Sequence, residues 1–203
     1  HDCFCQAIRN IGANRTYSER VGLHKLSLFG KSPVLVEAPK EFFDTLSTSL
    51  KMTIELTGNG AASAKLTSGF MNLFTMAEAP SQALPYQFKT PYGDFQLLKT
   101  DFYTDSKDQT GRKINVRMTR NGYLAESLQK SVKMDEVNKK ANAVEIDYDF
   151  QDPDFGRAFI GSLIASYRLM RRQHQSEQAA SKISFLDKRI ELLTSQLEKT
   201  EAG

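Results

Sequence analysis

The feature that most constrains this chain is its last quarter. Residues 154–201 contain no proline and no adjacent pair of glycines, so nothing in them breaks a helix, and a helix of that length spans about 70 Å. Gln151-Asp152-Pro153-Asp154 stands directly before it. Pro153 cannot donate to a sheet ladder but suits a first helical position. Asp152 then serves as the N-cap, and Asp154 falls in the first turn, where negative charge is favoured. A strand is expected to end here and a long helix to begin.

That helix reads in three parts. Phe155, Phe159, Leu163, Tyr167 and Met170 recur at helical spacing and are expected to dock on a sheet. Residues 171–178 (Arg-Arg-Gln-His-Gln-Ser-Glu-Gln) carry no large apolar side chain on any face, so this stretch must leave the body. Ile183, Leu186, Ile190, Leu193 and Leu197 then repeat at three-four spacing, the seam of a coiled coil. The chain offers no second long helix, so the seam is an expected oligomer contact. The domain plan is one domain with an extension: a body over residues 1–170 that includes the helix base, and a projecting segment over 171–203.

Upstream, residues 4–22 read as a helix with Phe4, Ile8 and Ile11 on one face and Gly22 as its stop. Residues 32–36 are extended, and Pro39 opens a short helix carrying Phe43, Leu46 and Leu50. From Leu50 the period changes: Leu50, Met52, Ile54 and Leu56 alternate with Lys51, Thr53, Glu55 and Thr57, a half-buried strand ended by Gly58-Asn59-Gly60. Residues 61–83 show no assignable period. Strands are expected at 86–88 and 95–98 around the turn Pro91-Tyr92-Gly93-Asp94, and again at 113–119. A short helix follows, with Leu124, Leu128 and Val132 on one face.

The strongest alternation lies in residues 143–150. Val144, Ile146, Tyr148 and Phe150 face one way, and Glu145, Asp147 and Asp149 the other. Set against Lys113 and Arg117, the acidic face predicts that these two strands neighbour each other in one sheet. The fold class is α+β: a small mixed sheet packed by helices, with one long protruding C-terminal helix of coiled-coil character.

Chemistry is harder to find. A net charge of +3, scattered along the chain, argues against a nucleic-acid partner. Cys3 and Cys5 are too close to meet disulfide geometry and lack a second pair of zinc ligands. His1, His24 and His174 form no metal motif, and no phosphate loop or Gly-x-Ser-x-Gly elbow occurs. Gly58-Asn59-Gly60 with Gly69 reads as turn, Glu145, Asp147 and Asp149 as a solvated face, and Asp101, Asp105 and Asp108 as a polar loop without calcium spacing. No catalytic residue, cofactor or metal ligand is therefore expected. Arg168, Arg171, Arg172 and Lys182 on the projecting helix are the candidates for meeting a glycan, or a neighbouring subunit's Glu177 and Glu191. No run of about 20 apolar residues is present to span a bilayer.

The order Leu28-Phe29-Gly30-Lys31-Ser32-Pro33-Val34, then Thr90-Pro91-Tyr92-Gly93-Asp94-Phe95, then Val144-Glu145-Ile146-Asp147-Tyr148, Asp152-Pro153 and Leu163-Ile164-Ala165-Ser166-Tyr167 resembles the periplasmic domain of Wzz-type polysaccharide chain-length determinants. It is similar also to the extracytoplasmic portions of the related bacterial tyrosine autokinases. The resemblance implies a periplasmic α/β domain of an inner-membrane protein, held by membrane helices at both ends. Such a protein assembles as a homo-oligomer, works with polysaccharide polymerase or export machinery, and sets the length or export of surface polysaccharide. Any tyrosine kinase module of the parent would lie outside this chain. The alternative is a periplasmic adaptor of an efflux or secretion system, which needs two antiparallel long helices. A secreted hydrolase would need a convergent polar site, which the sequence does not offer.

Overall fold

The computed structural model describes residues 2–39, 41–68, 74–104, 109–138, 143–148, 150 and 152–201. The first helix, α1 (Asp2–Ile11), buries Phe4, Ala7 and Ile8 and is shorter than its sequence suggests. Gly12 adopts φ +65°, and the Ala13 N–H returns to the Ile8 carbonyl at 3.0 Å. This left-handed cap, which glycine accepts without strain, ends the helix ten residues before Gly22. Residues 15–21 form a strand instead, β1 (Arg15–Val21), because they have ladder partners on both sides.

The chain continues through β2 (His24–Ser27), β3 (Val34–Glu37) and a single helical turn, α2 (Phe42–Thr45). That turn replaces the longer helix expected from Pro39, since Leu50 already opens β4 (Leu50–Gly58). The unassigned region holds two strands, β5 (Ala61–Ser68) and β6 (Phe74–Ala83). The expected hairpin follows as β7 (Tyr86–Thr90) and β8 (Gly93–Lys99), then β9 (Lys113–Met118) and the helix α3 (Asn121–Ser131). A strand that the sequence did not announce, β10 (Lys133–Asn138), precedes β11 (Ala143–Asp147). The chain closes in α4 (Pro153–Glu201), 49 residues long.

The fold is α+β, as expected, but its strands divide into three sheets. A six-stranded sheet runs β2-β1-β9-β4-β5-β6, a three-stranded sheet runs β3-β8-β7, and β10 pairs with β11 alone. Every pairing among the described residues is antiparallel. The expected pairing of 113–119 with 143–150 does not occur. Both edges of β9 are taken, by β1 and β4, and Lys113 meets Glu55 across β4 at 3.3 Å. The charge complementarity expected between distant strands is satisfied by a nearer neighbour.

Two cores result. The larger lies between the six- and three-stranded sheets: Met52, Ile54, Leu56, Ile114 and Val116 face Val34, Val36, Phe95 and Leu97, all fully buried. Tyr17 bridges them, its hydroxyl accepting the Val36 N–H at 3.0 Å. The smaller core gathers Phe4 and Ile8 of α1, Ala125 and Leu128 of α3, and Phe159 and Leu163 of α4, with Ile146, Tyr148 and Phe150 against them. A polar chain joins α1, α2 and α3. Arg9 and the Asn121 amide both donate to Asp44 Oδ1 at 2.8 Å, and Asn14 donates to Asn121 at 3.0 Å.

Gly156 lies where α4 crosses this smaller core. A Cβ there would come within 2.8 Å of Phe150 Cγ and 3.2 Å of its Cβ, whereas one at Gly161 would meet nothing within 4 Å. Gly156→Ala is therefore expected to lower stability by about 1–2 kcal/mol, overpacking outweighing the gain in helix propensity. Gly161→Ala is expected to raise it by up to about 1 kcal/mol. Denaturant unfolding of the two variants beside the wild type checks both signs.

Candidate functional site: the projecting helix

The start of α4 is fixed by several weak contacts acting together. Asp152 Oδ1 accepts the N–H groups of Asp154 and Phe155 at 3.0 and 3.2 Å, the expected N-cap, while its other oxygen accepts the Ser27 hydroxyl at 2.6 Å. Lys31 reaches Asp154 at 3.3 Å, and Phe29 meets Phe155 edge-on with ring centroids 5.3 Å apart. The helix therefore begins anchored to the segment that follows β2.

Its next turns lie on α1, not on a sheet. Phe159 and Leu163 are buried beside Phe4, Ala7 and Ile8. Ser162 donates to the Ala7 carbonyl at 3.2 Å, Asn10 to the Ser166 hydroxyl at 3.4 Å, and the Cys3 thiol to the Leu163 carbonyl at 3.5 Å. Burial pushes the Cys3 thiol up, which keeps it in the donating, protonated form. No disulfide joins Cys3 and Cys5.

The docked segment is shorter than the spacing of its apolar residues suggests. Ser166 is the last buried one among the described residues; Tyr167 is 58% exposed and Met170 39%. With only ten residues, α1 covers about 15 Å of α4, and the helix outruns its support. Every described residue from Tyr167 to Gln196 is exposed. This free length is about 45 Å.

On it stand the residues picked out by sequence. Ile183, Leu186, Ile190 and Leu193 are 52–60% exposed, so the four form an uncovered seam. Leu197 continues their spacing, but its side chain lies outside the described residues, as do Gly69, Asp105, Asp108 and Asp149. Arg168, Arg171, Arg172 and Lys182 are exposed on the same helix. At about 100° per residue they fall on the same side as the seam, nearer the base. Phe159 and Leu163 fall on the opposite side, so the seam faces away from the surface that docks α4 to α1. Glu177 and Glu191 lie toward that docking side, away from the four cations, while Asp187 flanks the seam.

Two features went unnoticed in the sequence. Phe185 and Leu192 are 62% and 65% exposed and lie seven residues apart, a second apolar strip about 130° round from the seam. The other is a charge pattern. With Ile183 as an a position, Lys182 is g and Asp187 is the next e, an arrangement that pairs oppositely charged residues between parallel copies in register. Both signals were available in the heptad numbering once the helix was extended through its full length.

No group of three side chains suited to a metal occurs among the described residues, and no helix among them is long and apolar enough to cross a membrane. No protein-family model matches the chain, and no curated protein matches it either.

The anchor carries a pH signature. Hydrogen bonding from Ser27, then from the Phe155 and Asp154 N–H groups, with Lys31 nearby, holds the Asp152 carboxyl below its ordinary value of 3.8. A carboxyl depressed in the folded state stabilises fully above its unfolded value, and that contribution is lost as pH falls through the folded one. Asp152→Ala is expected to cost about 1 kcal/mol at neutral pH. The difference from wild type should shrink as pH drops below about 4, which unfolding curves across pH 2–7 will show.

Proposed function

We propose that this chain is a non-catalytic periplasmic scaffold domain. Its parent is an inner-membrane protein that regulates the chain length or export of surface polysaccharide: lipopolysaccharide O-antigen, capsule or exopolysaccharide. The observation that carries the reading is the uncovered seam of α4. Four large aliphatic side chains project beyond the body with more than half of each in water, and burying such side chains stabilises by roughly 1.5–3 kcal/mol each when complete. The strand, Asp-Pro corner and long helix in this order support the specific scaffold, through the resemblance stated above.

The partner is a second copy of the same helix, running parallel. Copies tethered to one membrane present their helices in the same direction, and the Lys182–Asp187 register suits that arrangement. Two heptads are a short seam, so tethering supplies the effective concentration that a free chain lacks. Phe185 and Leu192 favour more than two helices, since a two-stranded seam leaves that strip in water. An adaptor of a secretion system remains the alternative, but it needs a second long helix, and α3, with 11 residues, is the next longest among those described.

Sedimentation of the membrane-anchored parent in detergent is expected to show a homo-oligomer. Leu186→Glu with Ile190→Glu should weaken association more than tenfold while leaving the circular dichroism of the body unchanged. In cells making the polymer, the same variant should broaden or shift the polysaccharide length distribution. A parent that sediments as a monomer sinks the scaffold reading. An unaltered polymer after deletion of its gene sinks the polysaccharide assignment.

A further inference from the structure

The six-stranded sheet has one face in the larger core; the other is open and unusually cationic. Across it, Ser18, Asn115 and Thr53 form a registered row on β1, β9 and β4. On one side of this row Lys51 stands directly opposite Arg117, and on the other Arg20 stands directly opposite Lys25. Like charges in register destabilise a sheet, and this one holds two such pairs. The other cations of this face meet acids, Lys113 with Glu55 and Lys65 with Glu78, and at its margin Arg112 meets Glu19 through two hydrogen bonds. Arg20, Lys25, Lys51 and Arg117 have no such acid among the described residues. Together they carry more than the net charge of +3 of the whole chain.

These side chains line a concavity of about 780 Å³. Thr53 donates to the Asn115 side-chain oxygen at 3.3 Å within this row. No aromatic ring lines the hollow, which removes the stacking platform that single-stranded nucleic acids need. The two cationic pairs are offset by about 13 Å along the strands and by two strands, about 10 Å, across the sheet, so about 16 Å separates them, a distance that a short oligomer bridges and a single phosphate does not. A concave face with hydroxyl and amide partners between charges suits a hydroxyl-rich polymer better than a flat bilayer.

We propose that this sheet face binds an acidic oligosaccharide, its carboxylates or phosphates meeting Lys51–Arg117 and Arg20–Lys25 and its hydroxyls meeting Ser18, Asn115 and Thr53. The identity of the ligand rests on the polysaccharide reading; the site rests on the sheet register. It lies on the body, away from the arginines of α4.

The test is isothermal titration of the chain carrying Leu186→Glu and Ile190→Glu, so that binding is read apart from assembly. Oligogalacturonate is the probe, beside maltohexaose, inorganic phosphate, a glutamate hexapeptide and vesicles of acidic phospholipid. Oligogalacturonate is expected to bind, to weaken as salt rises, and to lose at least tenfold with Lys51→Gln and Arg117→Gln. Lys89→Gln, on β7 of the three-stranded sheet, should leave its affinity unchanged. Because they relieve repulsion, the sheet substitutions should leave unfolding stability equal or higher. Equal binding of maltohexaose, preference for the peptide, phosphate or vesicles, no binding at all, or a sheet variant that is less stable would each overturn the proposal. A parent that assembles but binds no acidic glycan would sink this inference while leaving the scaffold reading intact.

Discussion

The burial of Phe159 and Leu163 against α1 is the contact on which the rest of the molecule's plan depends. These side chains, with Phe4, Ala7 and Ile8, fix the line along which α4 leaves the body. Because α1 is only ten residues long, the supported part of α4 ends near Ser166. The helix beyond is a lever held at one end. Isolated helices are marginal in water without tertiary packing, so a long exposed helix with an apolar seam is a structure that needs neighbours. Its seam also turns away from the docking side, so a partner helix approaches without displacing α1.

Much of this was legible in the sequence where a local rule and the tertiary fold agree. Asp152 caps α4 through the two N–H groups that the Asp-Pro corner implies, and β4 and β9 bury their alternate apolar residues. The failures have physical causes. Phe4, Ile8 and Ile11 give a true helical period, but Gly12 ends it, and Thr16-Tyr17-Ser18 then follow a strand period that β9 and β2 enforce. In β5 the buried positions include Ala62 and Ala64, whose small side chains do not announce a strand; β4 and β6 supply the pairing. Tyr167 and Met170 continue an apolar period past the end of their support, which only the length of α1 reveals.

The candidate site divides in the same way. Ile183, Leu186, Ile190 and Leu193 were readable because a seam is a one-dimensional pattern. The cationic sheet face was not, because Lys51, Arg117, Arg20 and Lys25 are scattered in sequence and converge only through strand register. Lys113 and Arg117 were noticed as one strand's charged face and then matched to the wrong neighbour. The actual register gives them opposite environments. Lys113 faces Glu55, while Arg117 faces Lys51. Two residues of one strand face, four apart, thus differ in whether their charge is answered within the fold.

Two of the carboxyls whose acidity the fold increases follow a related division. Asp44 is held low first by hydrogen bonding from Arg9 and then from Asn121, at the joint between α1, α2 and α3. Asp152 is held low by Ser27 and its cap, where α4 leaves the body. Both stabilise above the ordinary carboxylate range and lose that contribution as pH falls. Shifted carboxyls in a cleft are candidates for chemistry, whereas these two sit at joints between elements, where a fixed negative charge holds parts in place. Acid should therefore loosen how the helices are held together. The aliphatic side chains of the seam carry no group that titrates, so acid reaches their contacts through the helix that carries them and the charged residues that flank it.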